Sequence, residues 1–85
     1  MNLELNDKNV VITGASKGIG LAIAHAFGAQ GARLALVART AETLEQARLE
    51  LASAGYQAVT ISADLTDPLA AEAAIAQAEA QLGPI

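Results

Sequence analysis

Three short apolar segments recur at a spacing of about 25 residues, and each is followed by a segment with helical periodicity. They are NVVIT at 9–13, RLALVA at 33–38 and AVTIS at 58–62. Short apolar runs of this kind are typical of strands in a parallel sheet, and we expect the first to be buried on both faces. Strands that alternate with helices through short connections predict an α/β fold, a doubly wound parallel sheet with right-handed crossovers.

The helices between these strands have clear start and stop signals. Each ends at a glycine, the residue favoured at a helix C-terminus: Gly31, Gly55 and Gly83. Thr40 is a predicted N-cap for the second helix, and Asp67 followed by Pro68 marks the start of the third. The stripes predicted to pack on the sheet are Ile19, Ile23, Ala26, Phe27 and Gln30, then Leu44, Ala47, Leu51 and Ala54, then Ala71, Ile75, Ala78 and Leu82.

Composition excludes several classes of function. The net charge is −4 and the five Lys and Arg residues form no stripe, so we expect no nucleic-acid partner. With no cysteine and a single, isolated histidine, His25, no metal site is expected, and His25 is predicted to be exposed and without a role. The N-terminus lacks a secretory pattern and no apolar run approaches ~20 residues. We therefore expect a cytoplasmic protein with no membrane association.

The stretch TGASKGIG, residues 13–20, places three glycines between the first strand and the first helix. Free N–H groups at a helix start attract phosphate, and glycine lets the ligand approach the backbone. Gly14 would form the tight turn, Gly18 would admit a diphosphate, and Gly20 would let the helix pack closely on the sheet. The alternative is a close helix–strand crossing without any ligand.

The same stretch resembles the Thr-Gly-x-x-x-Gly-x-Gly cofactor motif of the short-chain dehydrogenases/reductases. The resemblance extends over all 85 residues. It includes ADLTD at 63–67, similar to the family's acidic adenine contact, and LGPI at 82–85, similar to the lead into a fourth strand. The resemblance is nearest to 3-oxoacyl-carrier-protein reductases. It implies a Rossmann-type domain at residues 1–85, an N-terminal fragment truncated before strand four. We expect this fragment alone to be poorly soluble or to lack a cooperative melting transition.

The residues after the second strand favour NADP(H) over NAD(H). That strand ends Val37-Ala38-Arg39 without the acid that binds the ribose hydroxyls of NAD. Arg39 could instead hold the extra phosphate with paired donors, and Lys17 is a second cation where NADP users of the family often carry one. The alternative for Arg39 is a solvated side chain.

The remaining predicted cofactor contacts come from the glycine turn and from the end of the third strand. Asp64 is expected to bind the adenine amino group, with the Leu65 amide beside it, although a surface Asx turn is the alternative for Asp64. Ser16 and Ile19 are expected to contribute phosphate contacts.

The resemblance implies an NADP-dependent oxidoreductase that reduces a carbonyl or oxidises an alcohol of a small-molecule substrate, and a homo-oligomer at full length. The family's catalytic serine, tyrosine and lysine are not in this chain. Tyr56 follows a helix-ending glycine and is predicted to be a packing residue. It does not match the family's catalytic tyrosine, because Thr60 stands where the lysine would follow. The alternatives are an NADP(H) sensor or pseudo-enzyme, and a receiver-type or flavodoxin-like domain. The last is disfavoured because Thr13-Gly14 replaces an acidic pair.

Overall fold

The computed structural model describes residues 8–14 and 17–85, which form three parallel strands alternating with three helices. None of these helices is both long and apolar enough to cross a membrane. The predicted strand bounds are confirmed. The elements in chain order are β1 Asn9–Thr13, α1 Gly18–Ala29, β2 Arg33–Ala38, α2 Ala41–Ser53, β3 Ala58–Ser62 and α3 Pro68–Leu82.

The sheet has the order β1-β2-β3, with helices on both of its faces. Alternate side chains of β2 point to opposite faces, as the pleat of a strand requires. Leu34 and Leu36 pack with α1 and α2 on one face, whereas Ala35 and Val37 pack with α3 on the other. This arrangement confirms the predicted Rossmann-like α/β unit.

The strand buried on both faces is β2 rather than β1. The four residues at 34–37 of β2 have no exposed surface, whereas in β1 only Ile12 is buried, at 7% exposure. The prediction for β1 is therefore wrong within the described part of the chain. The physical reason is position, because β2 has a strand on each side and β1 lies at an edge of the described sheet.

The predicted stripe is confirmed at three of its four residues for α2, but it is wrong for the isoleucines of α1. Leu44, Ala47 and Leu51 of α2 are buried as predicted, whereas Ala54 is exposed and follows the end of the helix. In α1 the buried residues are Ala24 and Gly28, and the isoleucines expected in the stripe are exposed, by 81% at residue 19 and 42% at residue 23. Small side chains on its inner face let α1 approach the sheet closely.

The inner face of α3 is likewise shifted from the prediction. Ala74, Ala78 and Leu82 are buried, but Ile75 is 42% exposed. The start of α3 is as predicted, because Asp67 Oδ1 accepts a hydrogen bond from the Leu69 amide at 3.0 Å and proline stands at the first helical position.

Gly28 of α1 packs directly against the ring of Tyr56, which follows α2. A Cβ at residue 28 would lie 2.6 Å from Tyr56 Cγ, closer than real contacts allow. The same ring meets His25 edge-on at 5.9 Å between centroids, and His25 Nε2 lies 2.5 Å from Glu50 Oε2. The prediction that His25 has no role is therefore corrected: it links α1 to α2. The packing role of Tyr56 is confirmed.

Gly28→Ala should destabilise the protein only while Tyr56 is present. Overpacking costs about 1–3 kcal/mol, whereas alanine gains about 1 kcal/mol of helix propensity over glycine. We expect denaturant unfolding to show a net loss for Gly28→Ala in the native background and a gain in a Tyr56→Ala background. The same effect in both backgrounds would contradict this contact.

Candidate functional site

The carboxyl ends of the three strands meet at one edge of the sheet, and hydrogen bonds beyond the strands hold them there. The Gly14 amide donates to the Val37 carbonyl at 2.9 Å, and the Ala63 amide donates to the Ala38 carbonyl at 2.9 Å. Ser62 Oγ donates to the Arg39 carbonyl at 2.9 Å, which ties the segment after β2 to β3. The parallel register therefore fixes the relative positions of the residues that follow each strand.

These segments enclose a cleft of about 320 Å³, here called the strand-end cleft. Its floor is mostly apolar, and the titratable groups that line it are a guanidinium and a carboxylate. The lining residues are Gly14, Val37, Ala38, Arg39, Ala63, Asp64, Leu65 and Thr66.

Four of the predicted site residues are brought together in the strand-end cleft: Gly14, Arg39, Asp64 and Leu65. Sequence reasoning did not single out Val37, Ala38, Ala63 and Thr66. Ala38 and Ala63 directly adjoin the predicted residues Arg39 and Asp64, and Val37 precedes Ala38 in β2. Thr66 stands two residues after an aspartate, which is the spacing of an Asx turn.

The other predicted residues lie in the turn and at the start of α1, outside the lining of the cleft. Lys17 is the N-cap of α1, exposed and in an extended conformation. In the first backbone hydrogen bond of the helix, the Leu21 amide donates to the Lys17 carbonyl at 3.5 Å. The amides of Gly18, Ile19 and Gly20 precede it and so have no partner within the helix. Ser16 lies outside the described residues.

The two glycines of this turn have left-handed backbone conformations and face open space. Gly14 has φ +64° and Gly18 has φ +63°, values that side chains disfavour. Within the described part of the chain, a Cβ built on either residue would meet no atom within 4 Å beyond its chain neighbours, so no group there fills the space beside them. The turn therefore leaves room for a ligand against the backbone at the start of α1, where helix geometry favours an anion. Since Gly28, rather than these residues, makes the crowded contact of α1, the structure gives no support to a purely packing role for Gly14 and Gly18.

Asp64 is held by Thr66 in the Asx turn that the sequence left as an alternative, while it also lines the cleft. Asp64 Oδ1 accepts from Thr66 Oγ1 at 2.6 Å and from the Thr66 amide at 3.0 Å. Its other oxygen, Oδ2, lies 3.9 Å from an Arg39 guanidinium nitrogen. The Thr66 hydroxyl, then the Thr66 amide and finally the charge of Arg39 hold the pKa of Asp64 below its usual value.

Thr66→Val should raise the pKa of Asp64 toward its usual value, because the strongest of these hydrogen bonds is lost while the amide remains. A depressed carboxyl pKa favours the folded state above the unfolded-state pKa, and this contribution disappears as pH falls through the folded-state pKa. Thr66→Val should therefore reduce that contribution. NMR titration of the Asp64 carboxyl measures the change. Thr43→Val is the control, since the Thr43 hydroxyl donates to the Thr40 carbonyl instead. An unchanged Asp64 pKa would contradict the assigned cause.

The strand-end cleft and the glycine turn together suit an elongated ligand with several different groups. The apolar floor can hold a flat ring, and Asp64 can accept a hydrogen bond from that ring's edge. The start of α1 can hold a diphosphate, and Arg39 can pair with a further anion. These parts, in a cleft at the carboxyl ends of parallel strands, fit a dinucleotide.

Comparison with known proteins gives consistent similarities. The family described as short chain dehydrogenase matches residues 8–85. Galactitol 2-dehydrogenase (L-tagatose-forming) of Cereibacter sphaeroides is 52% identical over 69 residues, which are 81% of this chain and 26% of that protein. The curated relatives are much longer than this chain, which spans from 6% to 32% of their length.

Solved structures show the same arrangement. L-sorbose reductase from Gluconobacter frateurii, complexed with NADPH and L-sorbose, superposes with a TM-score of 0.90 at 34% identity, over 98% of this chain and 32% of that one. A blue fluorescent protein from a metagenomic library, in complex with NADPH, gives a TM-score of 0.88 at 37% identity, over 98% and 35% of the two chains.

Proposed function

Because the chain belongs to the short-chain dehydrogenase family, we propose that it is the NADP(H)-binding part of an oxidoreductase acting on a carbonyl or an alcohol. We propose further that residues 1–85 are the first three βα units of a longer protein, which carries the groups for proton transfer. No catalytic residue is assigned to this chain. The observation that carries the proposal is the strand-end cleft, which has Arg39 and no acid at the end of β2 and a glycine turn at the end of β1.

The diphosphate, the adenine and the 2′-phosphate of the cofactor each have a candidate partner in this chain. The amides at the start of α1, from Gly18 to Gly20, would hold the diphosphate with Gly14 leaving room beside them. The floor of the cleft would hold adenine, with Asp64 accepting from its amino group and the Leu65 amide beside it. Arg39 would pair with the 2′-phosphate, and Lys17 would add positive charge near it. When bound, the dinucleotide supplies or accepts a hydride.

The choice of NADP(H) is supported from two directions. Within this chain, Arg39 is 76% exposed and so free to reorient, and no carboxylate on the β2 segment of the cleft opposes a phosphate there. Among relatives, the sorbose reductase and the metagenomic protein were both solved with NADPH. The carbonyl or alcohol class of substrate is consistent with the sorbose reductase and the galactitol dehydrogenase. The homo-oligomer, the cytoplasmic location and the nearer likeness to acyl-carrier-protein reductases stay predictions.

The test is a fluorescence titration of the full-length protein with NADPH and with NADH, followed by NADPH oxidation assays with a panel of ketoses, ketones and aldehydes. A charge-assisted hydrogen bond contributes roughly 1.5–3 kcal/mol, so NADPH should bind about ten to a hundred times more tightly than NADH. Turnover of at least one carbonyl class is expected. Tight binding with no turnover on the panel would favour the sensor alternative, and binding of neither cofactor would overturn the proposal.

A further inference from the structure

Arg39 and Asp64 follow different strands but form an ion pair in the same cleft. The register pairs Ala38 with Ser62, so the residues after β2 and β3 lie side by side. The guanidinium nitrogen and Asp64 Oδ2 are 3.9 Å apart, with the side chains 76% and 45% exposed, respectively. The pair is thus a loose, hydrated contact at the cleft rather than a buried structural ion pair.

The two partners of this pair differ in their freedom to move. Two hydrogen bonds from Thr66 fix Oδ1 of Asp64, so the negative charge stays in place. The Arg39 backbone is tied to β3 through Ser62, but its long side chain has no other contact in the described part of the chain that would hold the guanidinium. A guanidinium on a flexible stem can exchange one anionic partner for another.

On the basis of the proposed function, we propose that Asp64 competes with the 2′-phosphate of NADPH for Arg39 and thereby lowers the preference of this protein for NADPH over NADH. A fixed carboxylate beside the guanidinium offsets part of its charge and repels a second anion that approaches it. NADH lacks the 2′-phosphate and does not meet this competition. Any contact between Asp64 and adenine is common to both cofactors, so it cancels when their affinities are compared as a ratio.

Hydrogen bonding by Thr66 holds the competing carboxylate in place, because Oδ1 of Asp64 accepts from both the Thr66 hydroxyl and the Thr66 amide. The same hydrogen bonds keep the pKa of Asp64 below its usual value, although an aspartate is charged in the neutral range without them. Thr66 is therefore a positioning residue for the competing charge. The effect of Asp64 on cofactor preference should be small, because exposed ion pairs are weak. From the usual strength of such pairs we expect that removing the Asp64 charge changes the ratio of the dissociation constants for NADPH and NADH by about two- to fivefold.

The decisive variant is Asp64→Asn, which removes the charge but keeps an oxygen that can accept from Thr66. Fluorescence titration of the full-length protein with NADPH and NADH should show the ratio of the two Kd values shifting toward NADPH by about two- to fivefold. The shift should grow at low ionic strength. In an Arg39→Gln background, Asp64→Asn should shift the ratio less, because only the direct repulsion between the carboxylate and the phosphate is then removed. Asp64→Ser, whose hydroxyl can also accept from Thr66, should reproduce the shift.

The outcomes separate this inference from the proposed function. If Arg39→Gln weakens NADPH binding but Asp64→Asn leaves the ratio unchanged or shifts it toward NADH, the competition is wrong and the cofactor assignment stands. A shift of undiminished size in the Arg39→Gln background also overturns the competition, because the effect then does not depend on Arg39. If Arg39→Gln leaves NADPH affinity unchanged, the assignment of Arg39 to the phosphate fails, and with it the proposed preference.

Discussion

Replacing Arg39 with aspartate should reverse the cofactor preference of the full-length protein. The variant removes the guanidinium that would pair with the 2′-phosphate and places a second carboxylate beside Asp64 at the strand-end cleft. Losing one charge-assisted hydrogen bond costs roughly 1.5–3 kcal/mol, so NADPH affinity should fall about ten- to a hundredfold, and repulsion adds to this loss. NADH affinity should hold or rise, because an acid after the second strand can accept from both ribose hydroxyls.

The matched control is Arg48→Asp, which makes the same change of charge at a half-buried position of α2. Arg48 pairs with Glu45 on its own helix and does not line the cleft. Both variants are measured by fluorescence titration with the two reduced cofactors at one ionic strength. If NADPH affinity falls no further for Arg39→Asp than for Arg48→Asp, the loss reflects net charge alone and Arg39 does not hold the phosphate.

The alternation of strands and helices along the chain, and the first and last residues of the strands, could be predicted from the sequence because both follow from local signals. Apolar runs of five or six residues at a regular spacing, together with the Asp67–Pro68 helix start, are readable without tertiary contacts. The burial of β1 could not be predicted in this way. An apolar run looks the same at the centre of a sheet and at its edge, and only the neighbouring strands decide which strand is covered.

The inner face of α1 shows a second limit of sequence reasoning. Large apolar residues were expected to point inward, but Ile19 and Ile23 are exposed whereas Ala24 and Gly28 face the core. In an alanine-rich helix the hydrophobic pattern is weak, so the sizes of the side chains decide which face packs against the sheet. The ring of Tyr56 occupies the space that a side chain at residue 28 would need. Such a contact depends on the crossing of two elements and leaves no local signal.

Several residues that line the strand-end cleft were predicted from the sequence, as was the Asx turn at Asp64 as an alternative, but the ion pair within the cleft was not. Residue type at a strand end pointed to Gly14, Arg39 and Asp64, because parallel strands bring those ends to one edge. The ion pair between Arg39 and Asp64 depends on the register of β2 with β3 and on the turn made by Thr66. The ion pair needs both features at once, whereas the sequence prediction considered each residue separately.

Gly18→Ala should weaken the binding of NADPH and NADH to the same extent. The added Cβ would enter the open space beside the start of α1, where the diphosphate common to both cofactors is proposed to lie. It would keep the phosphate away from amides that have no partner within the helix. Loss of one such charge-assisted hydrogen bond predicts about a tenfold or larger fall in both affinities, with the ratio unchanged. Arg39→Asp, in contrast, should change the ratio.

Backbone strain is the competing explanation for such a loss, and Gly55→Ala controls for it. Gly55 also has a positive φ, +88°, and a Cβ there would also meet nothing within 4 Å, but it ends α2 and does not line the cleft. Alanine in a left-handed conformation costs about 1–2 kcal/mol at either position, so both variants should lower the melting temperature similarly. Only Gly18→Ala should weaken cofactor binding. If both variants bind the two cofactors like the native protein, or both lose affinity equally, the turn does not hold the diphosphate through its backbone.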